Sequence, residues 1–373
     1  MTGDLKQSLD RAARRYDPPP DALERLVRRR ERSRRIERLT ALAVGLGIAA
    51  VVVGVAFFAS RSSDGRSHPG DGAAASDRNG ELLYSKYVGS GWHLHAVDPS
   101  TGVERAITDG VRDYESDWSP DGSQIVYDTE GGDIVVADAD GSDPRVVGTG
   151  ASPSWSPDGS RIAFARSEQS GGARIWVMNA DGSDARAITE GPAAGPVSGQ
   201  DAAVDWAPSW SPDGRSIAYV RVVAHRSPEL PSGVGTTDVT LEELRVWRDG
   251  AQPSDVSLTD AYANLGPVDW SPDGATLVFT GGPTLFDEQQ TNGIIHAGVL
   301  LVPADGGAVR DLPSGQDATG ATWSPDGELI AFVEGDTSLV VMRPDGTDQH
   351  AVRIDPGEDS IIGPSWGVAP PSG

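Results

Sequence analysis

The chain has no cysteine among its 373 residues, and aromatic residues make up only 6%. The lack of cysteine excludes disulfides, thiol nucleophiles and thiolate zinc sites, so stability has to come from packing alone. Basic residues are also scarce after residue 38, where 19 basic residues face 48 acidic ones, whereas residues 1–38 hold 12 basic and 7 acidic residues. Because a surface this acidic repels phosphates, we expect no nucleic-acid partner.

Long hydrophobic runs are absent except for one, at residues 39–59. These 21 uncharged residues are long enough for a helix that spans a bilayer. The arginine-rich segment 28–38 precedes them, which predicts that the tail 1–38 is cytoplasmic and that the acidic remainder is extracytoplasmic. The alternative is a cleaved signal peptide, but both the tail and the apolar run are long for one.

Residues 60–80 are small, polar and without apolar periodicity, which predicts a flexible linker.

The basic tail before the membrane helix is typical of a topology signal that contacts anionic lipid head groups. The alternative is that the tail docks a cytoplasmic regulator. The sequence therefore predicts a single-pass membrane protein whose folded part follows the linker.

The motif Trp-Ser-Pro-Asp-Gly occurs five times in that folded part. Its tryptophans are Trp118, Trp155, Trp210, Trp270 and Trp323. Seven residues after each tryptophan comes an aliphatic residue, then a small or aliphatic one, then an aromatic, as in Ile162-Ala163-Phe164. A second apolar run and a Gly-containing turn follow. Each unit therefore predicts four short antiparallel strands, which at roughly 40 residues per repeat is the pattern of a β-propeller blade.

The motif itself has the residues of a tight turn. Ser, Pro and Asp suit a type I turn, and the final Gly suits the left-handed conformation that closes a hairpin. We expect the tryptophan before it to fill the space between adjacent blades. The motif is thereby explained as structure rather than as a repeated active site.

The ends of the domain predict how the ring closes. Residues 81–110 supply the last three strands of a blade without its Trp strand, and Trp366 in the segment 363–367 supplies one more Trp strand near the C-terminus. We therefore predict an all-β fold, a six-bladed propeller over residues 81–367 in which the C-terminal strand completes the first blade. Residues 368–373 form a short tail.

The Trp-Ser-Pro-Asp-Gly and Ile-Ala-Phe elements, with Ile175 to Asp184 (IWVMNADGSD), resemble the WD-like propeller repeat of the TolB type. The resemblance covers about residues 81–367 and implies the propeller fold. In that family propellers serve as protein-interaction modules of the cell envelope, and related ones gate substrates in prolyl oligopeptidases. We expect no counterpart here of the N-terminal domain of TolB or of the hydrolase domain of the peptidases, so we expect neither function to transfer intact.

Candidate catalytic and metal-binding patterns are weak. Ser365 lies in a Gly-x-Ser-x-Gly pattern, but a nucleophile elbow needs a following helix and a downstream histidine. The segments 138–143 and 179–184 resemble calcium loops without the closing Glu, so turn chemistry explains them better, and a weak calcium site is the alternative. His93 and His95 alternate onto one strand face. We predict no enzyme, no metal and no cofactor.

Long insertions mark the expected binding face. They are residues 190–207, 222–243 and 281–297, which belong to neighbouring blades and lie on the face opposite the tight turns. Binding sites commonly lie on such loops. The candidate binding residues are Asp205, Trp206, His225, Glu229, Leu230, Phe286, Asp287, Ile294 and His296.

The predicted function is binding of an envelope protein or peptide by a membrane-anchored extracytoplasmic propeller. Two alternatives stay open. One is a lyase or hydrolase with a site in the propeller channel, and the other is a sensor that reports a ligand to the cytoplasm through the basic tail.

Overall fold

The computed structural model describes residues 79–89, 91–109, 113–168, 172–190, 202–226, 238–249, 254–255, 262–263, 265–286, 292–294, 297–314, 317–354 and 360–369. Every regular element within these ranges is a β-strand, and none of their segments is a helix able to cross a membrane. The predicted tail 1–38, membrane helix 39–59 and all but the last two residues of the predicted linker 60–80 lie outside them.

Twenty-six strands are defined within the described residues. The first thirteen are β1 (Asn79–Val88), β2 (Gly91–Val97), β3 (Glu104–Ala106), β4 (Asp113–Trp118), β5 (Gln124–Thr129), β6 (Asp133–Asp138), β7 (Arg145–Thr149), β8 (Ala151–Trp155), β9 (Arg161–Ser167), β10 (Ala173–Asn179), β11 (Arg186–Ala187), β12 (Ala202–Trp210) and β13 (Ser216–Arg226). The others are β14 (Asp238–Arg248), β15 (Ser254–Asp255), β16 (Tyr262–Ala263), β17 (Val268–Trp270), β18 (Thr276–Phe286), β19 (Asn292–Ile294), β20 (Gly298–Pro303), β21 (Arg310–Asp311), β22 (Ala318–Trp323), β23 (Ile330–Glu334), β24 (Ser338–Met342), β25 (His350–Ala351) and β26 (Ile361–Val368).

These strands form antiparallel meanders of four. Meander 1 is β26-β1-β2-β3, meander 2 is β4 to β7, meander 3 is β8 to β11 and meander 4 is β12 to β15. Meander 5 is β17-β18-β20-β21, with β16 and β19 also paired to β18, and meander 6 is β22 to β25. One parallel bridge, Ala173 to Val204, joins the sheets of meanders 3 and 4.

The C-terminal strand completes the first meander. β26 pairs antiparallel with β1, with Trp366 opposite Leu82 and Ser365 opposite Leu83. The prediction that the last Trp strand closes the first sheet is therefore confirmed. The first strands of successive meanders contact one another in the order β26, β4, β8, β12, β17, β22 and again β26.

The motif tryptophans pack between successive meanders, as predicted. Trp118, Trp155, Trp210, Trp270, Trp323 and Trp366 are all between 2% and 6% exposed. Trp155 lies in a core cluster with Val126 and Val136 of meander 2, and Trp366 lies in one with Ala331 and Val333 of meander 6. Each of these indoles therefore covers the apolar face of the meander before its own, which holds neighbouring sheets together.

The Ser-Pro-Asp-Gly turns also have the predicted conformation. In the first, the Gly122 N–H donates to the Ser119 carbonyl at 2.9 Å, and Gly122 has a φ of 69°. The Asp121 carboxylate accepts from the Ser119 hydroxyl at 2.7 Å and from the Ser123 N–H at 3.0 Å. Burial opposes ionisation of Asp121, but these hydrogen bonds outweigh it and lower its pKa.

Because the strands alternate in direction, the connections of every meander lie at one of two ends, here named the motif end and the hairpin end. The motif end carries the Ser-Pro-Asp-Gly turns, which join the first strand of a meander to the second. The hairpin end carries the connections from the second strand to the third, such as Val88 to Gly91 in meander 1. First strands begin at the hairpin end, so a residue early in a first strand lies close to those connections.

Candidate functional site

Meanders 4 and 5 extend beyond the others at the hairpin end. β13, β14 and β18 each have 11 residues, whereas the second strands of meanders 2, 3 and 6 have 5 to 7 and that of meander 1, β1, has 10. β13 and β14 stay paired from Ser216 opposite Arg248 to Arg226 opposite Asp238. The described parts of the predicted loop at 222–243 are thus strand, because residues 222–226 pair with 238–242.

The extension of meander 5 is a second hairpin beside the first. β18 continues to Phe286 and pairs with β19, so that Phe286 faces Asn292 and Thr284 faces Ile294. On its other edge β18 pairs with β16, where Pro283 faces Tyr262. β16 contacts β14 of meander 4, so the two extensions adjoin. In the described residues, parts of the second and third insertions thus lie side by side at the hairpin end, whereas residues 202–207 of the first belong to β12.

The candidate binding residues fall into three groups. The backbones of His225, Phe286 and Ile294 lie in the extended strands β13, β18 and β19. Glu229, Leu230, Asp287 and His296 lie outside the described residues. Asp205 and Trp206 were expected in an exposed loop, and this expectation is wrong because both are buried in β12, at 1% and 7% exposure.

Asp205 is neutralised inside the fold by Arg221. Arg221 faces Asp205 across β12 and β13, and its Nε and Nη2 donate to the two carboxylate oxygens at 2.6 and 2.7 Å. Burial disfavours the cation, but the hydrogen bonds and charge of Asp205 outweigh it and raise the pKa of Arg221. The pair therefore supports the base of the extended hairpin rather than an exposed rim.

A belt of polar side chains joins the first strands near the motif end. It consists of the residues that immediately precede the motif tryptophans, and all of them are buried: Asp117, Ser154, Ser209, Asp269, Thr322 and Ser365. Asp117 accepts from the Trp155 N–H at 2.9 Å and from the Ser365 hydroxyl at 3.1 Å. It thereby links meander 2 to meanders 3 and 1.

Asp269 has the corresponding role three meanders further on. It accepts from the Thr322 hydroxyl and the Trp323 N–H, each at 2.9 Å, and the Ser209 hydroxyl lies 3.4 Å from it. Each carboxylate therefore accepts a hydrogen bond from a backbone N–H at the edge of the next first strand, where no neighbouring strand could accept it. Sequence reasoning missed this belt. The available signal was the residue before each motif tryptophan, which is Asp in two repeats and Ser or Thr in the other four.

A second set of carboxylates lies at the hairpin end of meander 2. Asp113, Glu115 and Asp128 are at most 6% exposed. The Glu115 N–H donates to Asp128 at 3.1 Å. Burial nevertheless raises the pKa of Asp128 to about 7, with the charge of Asp113 adding to the shift, and burial also raises the pKa of Asp113. This part of the structure therefore holds negative charge at a cost.

The two strand histidines lie beside this set. His95 Nδ1 is 2.9 Å from Glu104, which also binds Lys86 at 3.1 Å. The pKa of His95 is lowered because burial outweighs the attraction of Glu104. Within the described ranges no group of three or more His, Asp or Glu side chains is placed to hold a metal ion.

The other candidate patterns are structural in the described residues. In the first calcium-like segment the Asp140 carboxylate accepts from the N–H and hydroxyl of Ser142, at 3.0 and 2.6 Å, as an ordinary turn does. Asp181 does the same with Ser183. Ser365 is buried in β26 and donates to Asp117, and because β26 continues to Val368, the strand-to-helix turn of a nucleophile elbow does not form at this residue.

Comparison with known proteins gives the fold class. The Tol-Pal system protein TolB of Francisella tularensis subsp. holarctica (strain OSU18) is 28% identical over 299 residues, which cover 77% of this chain and 59% of that protein. The solved structure of TolB from Acinetobacter baumannii has a TM-score of 0.57 at 18% identity and covers 77% of this chain and 66% of that one. A structure from Agrobacterium tumefaciens assigned to TolB gives 0.52 at 19%, with 73% and 89% covered.

These likenesses show a TolB-like β-propeller fold. No protein-family model matches the chain. The chain spans about three fifths of the length of the curated TolB protein that it matches. What is similar is therefore the propeller, and the activity and partners of a whole TolB protein are matters for proposal.

Proposed function

We propose that this protein is a membrane-anchored binding module whose six-bladed propeller captures a protein or peptide of the cell envelope. The observation that carries the proposal is the pair of extended hairpins, β13–β14 and β18–β19, which adjoin at one end of neighbouring meanders. Surface extensions on a rigid scaffold are common binding elements. The motif end has only tight turns in the described residues, so the binding face is the hairpin end.

Six blades are supported by the contacts of the first strands. Each of the meanders 1 to 6 has four strands, and their first strands contact in an order that returns to β26. Membrane attachment rests on the apolar run 39–59, and the extracytoplasmic placement rests on the arginines before it. The similarity to TolB of the Tol-Pal system supports an envelope partner.

The test is photocrosslinking in cells with a probe at Arg226, the last residue of β13. One variant replaces residues 227–237 with Asn-Gly, a two-residue turn suited to closing the β13–β14 hairpin. We expect a crosslinked partner with the full chain and none with this variant. The matched control carries Arg215→Gln and Glu328→Gln, two exposed residues of motif-end turns, and should keep the crosslink. An adduct that survives the hairpin replacement would refute the proposed binding face.

Membrane topology needs a separate measurement. Intact cells treated with protease should lose the propeller while the tail 1–38 stays protected, because the anchor places them on opposite sides. A propeller protected in intact cells, or a chain released from membranes by salt alone, would contradict the anchored extracytoplasmic placement.

A further inference from the structure

Two buried aspartates occupy the same place in different meanders but have different partners. Asp113 and Asp205 each lie five positions before a motif tryptophan (118 − 113 and 210 − 205), in first strands β4 and β12. Across the strand pair Asp205 faces Arg221, whereas Asp113 faces Thr129. Where meander 4 has a guanidinium, meander 2 has a neutral hydroxyl.

Among the described residues, no guanidinium faces Asp113 as Arg221 faces its counterpart. It is 6% exposed, and its Oδ2 atom has no hydrogen-bond partner among the described residues. The groups that act on its carboxylate are the Thr108 side chain, His93 and Asp109, and the nearby Asp128 adds a further acidic group. Lys86, a buried ammonium of meander 1, binds Glu104 instead. A buried carboxylate that has a free oxygen and no guanidinium opposite it in the described residues is costly, so the site favours a cationic occupant.

Aromatic rings also lie at the hairpin end, where Asp113 is. Tyr127 lies close enough to Asp113 that, with burial as the larger cause, its pKa is raised to about 12. Trp92 stands between Tyr87 and Tyr114, with ring centroids 5.5 and 6.4 Å away. Tyr87 is 38% exposed at the β1–β2 connection, which belongs to the hairpin end. A planar guanidinium binds carboxylates in a fork and stacks on such rings, which an ammonium does less well.

We propose that the Asp113 site takes the guanidinium of an arginine side chain from the bound partner, in the way that Asp205 takes Arg221. This inference rests on the proposed function, since it identifies one group of the partner that the hairpin end recognises. The site lies in meanders 1 and 2, so the extended hairpins of meanders 4 and 5 and this carboxylate would hold different parts of one partner.

The probe is a pair of labelled pentapeptides, Ala-Gly-Arg-Gly-Ala and its citrulline analogue, titrated into the purified full-length protein at low salt. Citrulline keeps the size of arginine without its charge. We expect the arginine peptide to bind about tenfold more tightly, as a desolvated charged hydrogen bond allows. Asp113→Asn should remove this preference, while the control Asp133→Asn, a partly exposed aspartate of β6, should keep it.

A second variant supplies the cation internally. Thr129→Arg puts a guanidinium at the register that Arg221 has in meander 4, so it should abolish the peptide preference without lowering the melting temperature. Thr129→Gln should keep the preference. Equal affinity of the wild-type protein for both peptides, or a preference that survives Asp113→Asn, would overturn the proposal.

The remaining possibility is a cation from the chain itself. Arg112 precedes Asp113 in the sequence and lies outside the described residues. If Arg112→Ala lowers the melting temperature as much as Arg221→Ala does, the occupant is internal and the proposal fails. The preference for the arginine peptide does not depend on the β13–β14 hairpin. If the wild-type protein shows no such preference while the crosslink at Arg226 is still formed, this inference is rejected and the proposed function stands.

Discussion

Asp117 Oδ2 lies 2.9 Å from the backbone nitrogen of Trp155, across the junction between meanders 2 and 3. The same carboxylate accepts the Ser365 hydroxyl from meander 1. This one side chain therefore connects three successive first strands, β26, β4 and β8, so we expect it to matter for the stability of the fold.

Replacing Asp117 should destabilise the whole ring of contacts. Asp117→Ala leaves the buried Trp155 N–H without its acceptor, so we expect a loss of about 3 kcal/mol, as for charged hydrogen bonds in the core. Asp117→Asn keeps one acceptor oxygen and should cost less. Urea unfolding followed by tryptophan fluorescence measures both, with the exposed Glu328→Ala as control. A midpoint for Asp117→Ala equal to that of the control would show that the carboxylate is dispensable.

Replacing both Arg221 and Asp205 should lower the free energy of unfolding much less than replacing Arg221 alone. Arg221→Met leaves Asp205, which is 1% exposed, as a buried unpaired charge, and we expect a loss of about 3 to 5 kcal/mol. The double variant Arg221→Met with Asp205→Asn should recover most of this loss. Comparing the single and double variants by urea unfolding checks the prediction, and a double variant less stable than Arg221→Met would contradict it.

Gly367→Ala should weaken the closure of the first meander. A Cβ at Gly367 would lie 2.9 Å from the Trp118 indole, closer than real Cβ contacts, and the ring is held in the core between meanders 1 and 2. We expect a cost of about 1 to 3 kcal/mol from overpacking, seen as a lower melting temperature. Gly131→Ala, where the nearest atom would be 3.6 Å away, is the matched control and should change the melting temperature little.

The stability of the protein should depend on pH through Asp128. Its pKa is about 7 in the fold and near 3.9 in an unfolded chain, so between these values the folded state holds a proton that the unfolded state has released. The contribution of Asp128 to stability is therefore greatest at low pH and falls as pH rises through about 7. The slope is at most about 1.4 kcal/mol per pH unit for one proton.

The matched comparison is Asp128→Asn, which cannot titrate. The difference in unfolding free energy between wild type and variant, measured from pH 5 to pH 8, should shift in favour of the variant as pH rises. A difference that is constant over this range would mean that Asp128 does not titrate there.

Local turn chemistry made most of the fold predictable. Five copies of one turn located the hairpins, and a sixth tryptophan, Trp366, located the closing strand, because proline and glycine fix backbone angles through short-range sterics. The sequence could not tell that residues 202–207 belong to β12. Their strand character comes from the pairing of residues 202–206 with Val220 to Ala224, and such pairing depends on distant residues rather than on local propensity.

The candidate site was less predictable for the same reason. The extended hairpins lie in the expected neighbouring repeats, but Asp205 looks in the sequence like any acidic residue of a polar insertion. Only the cross-strand register puts Arg221 opposite it, and only comparison with Thr129 in meander 2 makes Asp113 distinctive. Partners that are set by register between strands are invisible to a motif search.

The pairing of β26 with β1 also sets a schedule for biosynthesis. About 270 residues separate the end of β1, at Val88, from the start of β26, at Ile361. At typical rates of translation, β1 waits roughly 15 to 55 seconds for its neighbour. During that interval β1 has an unpaired edge to which another chain could add a strand, so the risk of aggregation lasts until β26 has been made.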